Sequence, residues 1–212
     1  MQIIFLFYDG MTALDAIGPH EILCRLPGAK VHRVAKKIGA IHTDSDLLLH
    51  ADSTLADVSH ADILLIPGAG NATTLRDYPE TLDWIKTIHQ TTTWTTSVCT
   101  GSLILGAAGV LKGLKATSHW AALERLQTWG AKPVESRIVE SGKIITAAGV
   151  SAGIDMALAL AAKIAGQRIA ETLQLGIEYD PVPLFNAGSP AKANPDILKA
   201  LHAYMNAAFE KP

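Results

Sequence analysis

The sequence predicts an α/β protein with a mostly parallel central sheet covered by helices on both faces. Two patterns carry this prediction: short β-type apolar runs alternate with longer helical segments, and glycine-containing turns follow several of the apolar runs. Alternation of strands and helices along a chain is typical of a parallel sheet with both faces buried. The chain has 212 residues, of which 49% are hydrophobic and 18% charged, so it is long and apolar enough to bury a substantial core.

The predicted strands are short and end in polar or glycine-containing turns. They are Ile3–Tyr8, Val31–Ala35, Ala61–Pro67 and Thr93–Val98, with Asp44–Asp52 as a short hairpin or edge segment and Arg137–Ala147 as a hairpin around Ser141-Gly142. Runs of this length that are bounded by turn residues favour buried strands over helices.

The predicted helices fill the segments between the strands and the end of the chain. They are Thr12–Leu26 with an interruption at Gly18-Pro19, Tyr78–Gln90, Gly101–Ala108, Ser151–Ala165, a segment from Arg168, and Asp196–Phe209. Ser151–Ala165 is apolar nearly all round, so we expect it to be buried. Pro181–Pro195 contains four prolines and is predicted to be a surface arm that takes part in dimerisation. We find no repeat or linker, and we expect one domain over residues 1–212.

Composition excludes several classes of partner. The net charge is −2, there is no run of basic residues, and aromatic residues make up only 6%, so we expect no nucleic-acid partner. No stretch of about 18 apolar residues is present, so we expect no membrane span. The first ten residues lack the positive start of a signal peptide. With only two cysteines, Cys24 and Cys99, the chain is expected to be a cytoplasmic protein with free thiols.

Three predicted strand ends carry polar or reactive residues. They are Tyr8-Asp9-Gly10, Pro67-Gly68-Ala69-Gly70-Asn71 and Ser97-Val98-Cys99-Thr100-Gly101. In an open α/β sheet, ligands bind at the carboxyl ends of the strands. The functional site is therefore predicted where these three segments meet.

Cys99 stands between a predicted strand and a predicted helix, the setting of a nucleophile elbow, although Ser97 replaces the first glycine of the usual pattern. The N–H groups at a helix start favour a thiolate, so we expect a lowered pKa for the Cys99 thiol. On an exposed turn, such a thiol is predicted to be oxidised first by peroxide. The N–H groups of Thr100 and of the Gly68–Gly70 turn are predicted to form an anion hole. Cys24 is interpreted as structural.

Five motifs, taken together, resemble the ThiJ/PfpI superfamily. They cover roughly residues 1–180 and are Leu14-Asp15-Ala16-Ile17-Gly18-Pro19-His20-Glu21, Leu65-Ile66-Pro67-Gly68-Ala69-Gly70, Ser97-Val98-Cys99-Thr100-Gly101, Ala116-Thr117-Ser118-His119-Trp120 and Gly149-Val150-Ser151-Ala152-Gly153-Ile154-Asp155. Each motif is weak by itself, and their order along the chain makes the set specific. The resemblance implies a flavodoxin-like three-layer sandwich and a homodimer.

Within the superfamily, the Asp-x-x-Gly-Pro and Cys-Thr-Gly motifs are most similar to those of isonitrile hydratases. This resemblance implies that Cys99 adds to an isonitrile to give a thioimidate, with Asp15 as general acid and base and Thr100 as a hydrogen-bond donor. We expect burial and the neighbouring thiolate to raise the pKa of Asp15. Thr100 replaces the histidine of the protease-like branch, no late His-x-Glu pair exists, and Asp15 replaces the glutamate of the redox-sensing branch. Neither a protease nor a glutaminase triad is therefore expected.

The rest of the predicted site concerns the substrate. Ile17, Trp120 and Ile154 are expected to line an apolar pocket for the R group, and Gly70 to donate an N–H in the anion hole. His119 is predicted either near the thiol or in the packed core. No His or Cys spacing typical of metal sites and no dinucleotide fingerprint is present, so we expect no metal and no cofactor.

Two other functions remain open at this level. One is an enzyme of the same superfamily that acts on reactive carbonyls such as methylglyoxal. The other is a non-catalytic redox or ligand sensor in which Cys99 is oxidised. The pairing of Asp15 with Thr100 favours isonitrile hydration over both.

Overall fold

The computed structural model describes residues 1–71 and 78–209, with side chains described up to residue 205. The strands are β1 (Gln2–Leu6), β2 (Lys30–Ala35), β3 (Gly39–His42), β4 (Leu48–Ala51), β5 (Ser53–Thr54), β6 (Ile63–Ile66), β7 (Trp94–Val98), β8 (Lys115–Ala116), β9 (Lys132–Pro133), β10 (Ile138–Ser141) and β11 (Ile144–Ala147). The helices are α1 (Ala13–Leu23), α2 (Pro79–Thr91), α3 (Gly101–Ala107), α4 (Ala152–Ala165), α5 (Gln167–Gly176) and α6 (Pro195–Phe209).

The central sheet has the strand order β10-β11-β7-β6-β1-β2-β5, and only the edge pair β10–β11 is antiparallel. The chain runs one way along the sheet from β1 to β2 and the opposite way from β6 to β7. Because parallel crossovers are right-handed, α1 and α2 lie on opposite faces. Helix α4 packs on α1 and α3 packs on α2, which completes the predicted three-layer sandwich.

The core lies on both faces of the inner strands. β1 and β6 are almost wholly buried, and the α1–α4 contact is close because glycines meet side chains there. A Cβ at Gly18 would lie 2.9 Å from Ile154 Cγ1, and one at Gly153 would lie 3.1 Å from Pro19 Cγ. Pro19 sits inside α1, so the predicted interruption at Gly18-Pro19 is wrong. The tight packing against α4 keeps the helix continuous.

Two further differences separate the sequence prediction from the structure. The hairpin predicted within Asp44–Asp52 is formed instead by β3 and β4, so its first strand precedes that segment. A 3₁₀ helix, Trp120–Trp129, and the small β8–β9 sheet were missed, because short elements of this kind carry little hydrophobic periodicity.

The predicted surface arm exposes large apolar side chains. Val182 and Leu184 are both 87% exposed, and Phe185 is 76% exposed. The predicted homodimer and the single-domain organisation stay predictions. Within the described residues, no helix is long and apolar enough to cross a membrane.

Candidate active site

Cys99 occupies a strained turn between β7 and α3. Its φ of +57° lies in the left-handed region, which a residue with a side chain rarely adopts. The turn is held on both sides: the Cys99 N–H donates to the Ala148 carbonyl at 2.8 Å, and its carbonyl accepts from the hydroxyls of Ser102 and Ser118 at 3.2 and 3.1 Å. This geometry is that of the predicted nucleophile elbow. The Ser118 bond also gives the Ala116–Trp120 motif a structural role.

Asp15 reaches the elbow from the first turn of α1. Its side chain is completely buried, and its Oδ2 accepts the Gly68 N–H at 2.8 Å. The neighbouring Cys99 thiol favours the ionised form of this carboxyl group. Its other oxygen, Oδ1, is buried and has no hydrogen-bond partner. The backbone therefore holds one oxygen of the carboxyl group, and the other oxygen can accept a further hydrogen bond.

Gly68 allows these groups to meet. A Cβ at this position would lie 2.5 Å from the Thr100 backbone nitrogen, 2.6 Å from Thr100 Oγ1 and 2.9 Å from Asp15 Oδ2. No real side chain tolerates such contacts, so only glycine permits the ends of β6 and β7 to meet beside Asp15 of α1. The end of β1 reaches the same turn through the hydrogen bond from Tyr8 to the Pro67 carbonyl, so the three strand ends lie together as predicted.

The pKa of Asp15 is raised from 3.8 to about 7. Burial is the largest cause, and the negative charge of Asp44 adds to it, whereas the Gly68 N–H and the thiol hydrogen bond oppose it. The predicted rise in the pKa of Asp15 is thus confirmed, but Cys99 lowers this pKa instead of raising it. The reason is that the sulfur carries a proton and donates it to the carboxylate.

The pKa of the Cys99 thiol is raised to about 12, so the predicted lowering is wrong. Burial and the neighbouring Asp15 carboxylate both disfavour a thiolate, and they outweigh the backbone N–H groups of Thr100 and Val150 and the Thr100 hydroxyl, which favour it. Cys99 is only 6% exposed, so the expectation of an exposed turn is also wrong, whereas its preferential oxidation by peroxide stays a prediction. The resting pair at neutral pH is a thiol beside a carboxyl that titrates near 7.

The predicted anion hole at Gly68–Gly70 is not available, because every N–H group in this turn has a partner. Gly68 donates to Asp15, Ala69 donates to Thr100 Oγ1 at 2.9 Å, and Gly70 donates to Asp44 Oδ2 at 3.3 Å. The Thr100 hydroxyl in turn donates a hydrogen bond to the Ala69 carbonyl at 2.9 Å. The donors that face the sulfur are instead the N–H groups of Thr100 and Val150.

His119 lies against Gly149, one residue before Val150. A Cβ at Gly149 would come within 2.9 Å of His119 Cδ2. Nδ1 of His119 accepts the Ala121 N–H at 3.3 Å and caps the 3₁₀ helix, and burial lowers the pKa of the ring. These contacts give His119 a structural role beside the site, and a catalytic role stays a prediction.

The residues predicted to hold the R group are half-buried and lie in different surroundings. Ile154 packs against Gly18, next to Ile17 on α1, whereas the Trp120 ring lies 5.3 Å from His119 and 5.2 Å from His202 of α6. A cleft of about 450 Å³ at the ends of β1 and β2 is lined by other residues, among them Tyr8. The pocket formed by Ile17, Trp120 and Ile154 therefore stays a prediction.

Sequence reasoning missed one residue of the site, Asp44, and it gave no individual role to two others that lie in segments it singled out, Tyr8 and Val150. Val150 stands in a motif that the sequence singled out, but a backbone N–H carries no side-chain signal. Tyr8 ends a strand whose polar end was noted, and its hydroxyl donates to the Pro67 carbonyl at 2.8 Å. Asp44 comes from the loop between β3 and β4, where nothing in the sequence pointed to the site.

Among residues 1–71 and 78–209, no three His, Cys, Asp or Glu side chains are grouped closely enough to hold a metal ion. The predicted lack of a metal or cofactor remains a prediction.

The model of the DJ-1/PfpI family matches residues 1–163. The chain belongs to the DJ-1/PfpI family. A relative within it, named isonitrile hydratase, from Pseudomonas putida, is 41% identical over 91% of this chain and 85% of its own length. The crystal structure of a ThiJ/PfpI family protein from Pseudomonas syringae is 39% identical, covers 98% of this chain and 88% of its own, and superposes with a TM-score of 0.93.

A helix-turn-helix transcriptional regulator, CdhR, from Pseudomonas aeruginosa is 28% identical over 78% of this chain but only 51% of its own length. The DJ-1/PfpI fold thus also occurs as part of a longer protein.

Proposed function

We propose that this DJ-1/PfpI family chain is a cytoplasmic isonitrile hydratase that converts R–N≡C to the N-substituted formamide without a cofactor. The observation that carries the proposal is the Asp15–Cys99 pair: a buried thiol next to a carboxyl that has a pKa of about 7 and one unpartnered oxygen. The relative named isonitrile hydratase, at 41% identity, supports the substrate class. The two free cysteines support the location.

Isonitrile hydration places a proton and a nucleophile on the same carbon, and the pair has both. Asp15 accepts the Cys99 proton and passes it to the terminal carbon, while a sulfur lone pair forms the C–S bond. The product of this step is the thioimidate Cys99–S–CH=N–R. The N–H groups of Thr100 and Val150 stabilise the charge that develops on sulfur before the bond forms.

Hydrolysis of the thioimidate uses the same carboxyl as a base. Ionised Asp15 accepts a proton from water as the oxygen bonds to the thioimidate carbon, and it passes this proton to the nitrogen. Asp15 then accepts the hydroxyl proton of the tetrahedral intermediate as the C–S bond breaks and R–NH–CHO leaves, and it returns that proton to the sulfur. The cycle adds one water and consumes nothing else.

The decisive experiment is incubation of the purified chain with an alkyl isocyanide, followed by detection of the formamide by mass spectrometry. Cys99→Ala serves as the matched control for uncatalysed hydrolysis. Formamide produced at the same rate by both proteins would overturn the proposal.

Methylglyoxal in the same assay tests the carbonyl alternative, with lactate as the expected product of that activity. Turnover of neither compound would favour a sensor. A raised thiol pKa disfavours the sensor, because oxidants react with thiolates.

A further inference from the structure

Tyr8 lies close enough to Asp15 and Cys99 for the charges of both residues to raise its pKa. Its side chain follows β1 and is only 6% exposed, and its hydroxyl donates to the Pro67 carbonyl at 2.8 Å. A buried phenol normally satisfies its hydroxyl in this way. The acceptor is the feature of interest, because it belongs to the peptide group that also binds Asp15.

The Pro67 carbonyl and the Gly68 N–H belong to one peptide group. The carbonyl accepts from Tyr8, and the N–H donates to Asp15 Oδ2, also at 2.8 Å. In a trans peptide the two groups point in opposite directions, so the phenol and the carboxyl sit at the two ends of a single polar unit. Hydrogen bonds in such a chain polarise one another, and a donor on the carbonyl makes the N–H a stronger donor.

The packing around this peptide keeps it in place. Gly101 approaches so closely that a Cβ there would lie 2.9 Å from both the carbon and the oxygen of the Pro67 carbonyl. The absence of a Cβ at Gly68 brings the turn equally close to Thr100. Tyr8 is thus the hydrogen-bond donor to a carbonyl that close packing already surrounds.

We propose that Tyr8 is a positioning residue that orients and polarises the Pro67–Gly68 peptide, and that it thereby lowers the pH at which Asp15 exchanges its proton. This inference rests on the proposed function for its kinetic consequence but not for its chemistry.

Other groups also face Asp15. Asp44, from the β3–β4 loop, disfavours its ionised form, and the Cys99 thiol, on the elbow, favours it. Tyr8 stays protonated throughout, because burial together with Asp15, Cys99 and Asp44 raises its pKa well above 10.

Tyr8→Phe keeps the ring and removes only the hydroxyl. We expect the pKa of Asp15 to rise by about 0.5, since part of the hydrogen bond from Gly68 is lost. The acid limb of kcat/KM for an alkyl isocyanide should move to higher pH by the same amount, with KM on the alkaline plateau unchanged. Tyr179→Phe is the matched control, because the Tyr179 hydroxyl donates to Asp155 outside the site.

A second variant is expected to shift the acid limb of kcat/KM in the opposite direction. Replacing Tyr8 with 3,5-difluorotyrosine strengthens the phenol as a donor, so the acid limb should move to lower pH. An acid limb that stays in place in both variants, or a uniform loss of kcat without a shift, would overturn the role of Tyr8.

A readout without substrate separates this inference from the proposed function. Infrared difference spectra between the parent and Asp15→Asn isolate the Asp15 carboxyl band, and its loss with rising pH gives the pKa directly. If no isonitrile is hydrated but the band titrates higher in Tyr8→Phe, the function fails and the inference stands. If isonitrile is hydrated and the band does not move, the inference fails alone.

Discussion

Asp15 and Asp44 are two carboxylates that bind the same turn, and their surroundings make them chemically different. Asp15 takes the N–H of Gly68 and is completely buried, with one oxygen unpartnered. Asp44 takes the N–H of Gly70 and the hydroxyl of Thr12, and it is exposed. Water therefore solvates the second carboxylate, whereas the first has one backbone N–H and the thiol.

Burial, rather than the number of hydrogen bonds, therefore distinguishes the acid–base residue from the other carboxylate. A carboxyl that titrates near neutral pH both gives and takes protons readily. Asp44 then acts at a distance, because its fixed negative charge helps to hold the pKa of Asp15 up.

Cys99→Ala should abolish formamide production, because it leaves Asp15 in place without a nucleophile. A steady-state assay with an alkyl isocyanide measures this. Cys24→Ser is the control, since Cys24 lies at the end of α1 and is only half-buried. Substantial turnover by Cys99→Ala would show that the buried carboxyl activates water by itself.

Asp15→Asn should lower kcat by roughly 10²-fold or more, the usual scale for loss of a general acid and base. The amide keeps the shape and still accepts the Gly68 N–H. Asp44→Asn is the matched exchange at the other carboxylate and should keep most of the turnover. Equal losses of kcat in Asp15→Asn and Asp44→Asn would show that Asp15 is not the specific general acid and base.

The rate should depend on pH through the ionisation of Asp15. Below about 7, Asp15 is protonated and does not accept the thiol proton, so kcat/KM should fall about tenfold per pH unit as the pH decreases. Above 7 it should level off, because the thiol keeps its proton until about 12. A profile that rises continuously to pH 9 would instead indicate attack by a thiolate of ordinary pKa.

Stability should respond in the opposite direction. The pKa of Asp15 is higher in the folded than in the unfolded chain, so the contribution of Asp15 to the free energy of unfolding falls as the pH rises from about 4 to about 7. A rise from 3.8 to about 7 corresponds to at most about 4 kcal/mol. Asp15→Asn should therefore be more stable than the parent at pH 8 but not at pH 4. Urea unfolding at the two pH values tests this, and a gain that is independent of pH would contradict it.

The smallest expected effect is a shift in the pH profile of kcat/KM when Asp44, the exposed carboxylate, is replaced. Asp44→Asn removes a negative charge near Asp15, so the acid limb of the kcat/KM profile should move to lower pH. High salt should reduce the difference between parent and variant, because Asp44 is exposed and its charge is screened. A shift to higher pH would mean that Asp44 acts through its contact with Gly70 rather than through its charge.

The sequence predicted the positions of the site residues better than it predicted their pKa values and hydrogen-bond partners. The strand ends, the elbow at Cys99 and the carboxyl at Asp15 follow from local patterns and from recognisable motifs. The pKa of Cys99 does not, because burial depends on how distant segments pack over the thiol. The free N–H groups expected at Gly68–Gly70 were lost for the same reason, since Asp15, Thr100 and Asp44 come from three other segments to bind them.

The backbone conformation at Cys99 has a consequence for directed evolution. A left-handed φ of +57° at a residue with a side chain costs on the order of 1 kcal/mol, and glycine avoids this cost. Cys99→Gly relieves this strain, but it also removes a buried side chain and adds conformational freedom to the unfolded chain, and both effects offset the gain in stability. A library screened for heat resistance alone is therefore not expected to enrich Cys99→Gly, so a search for a more stable catalyst can leave the strained turn in place.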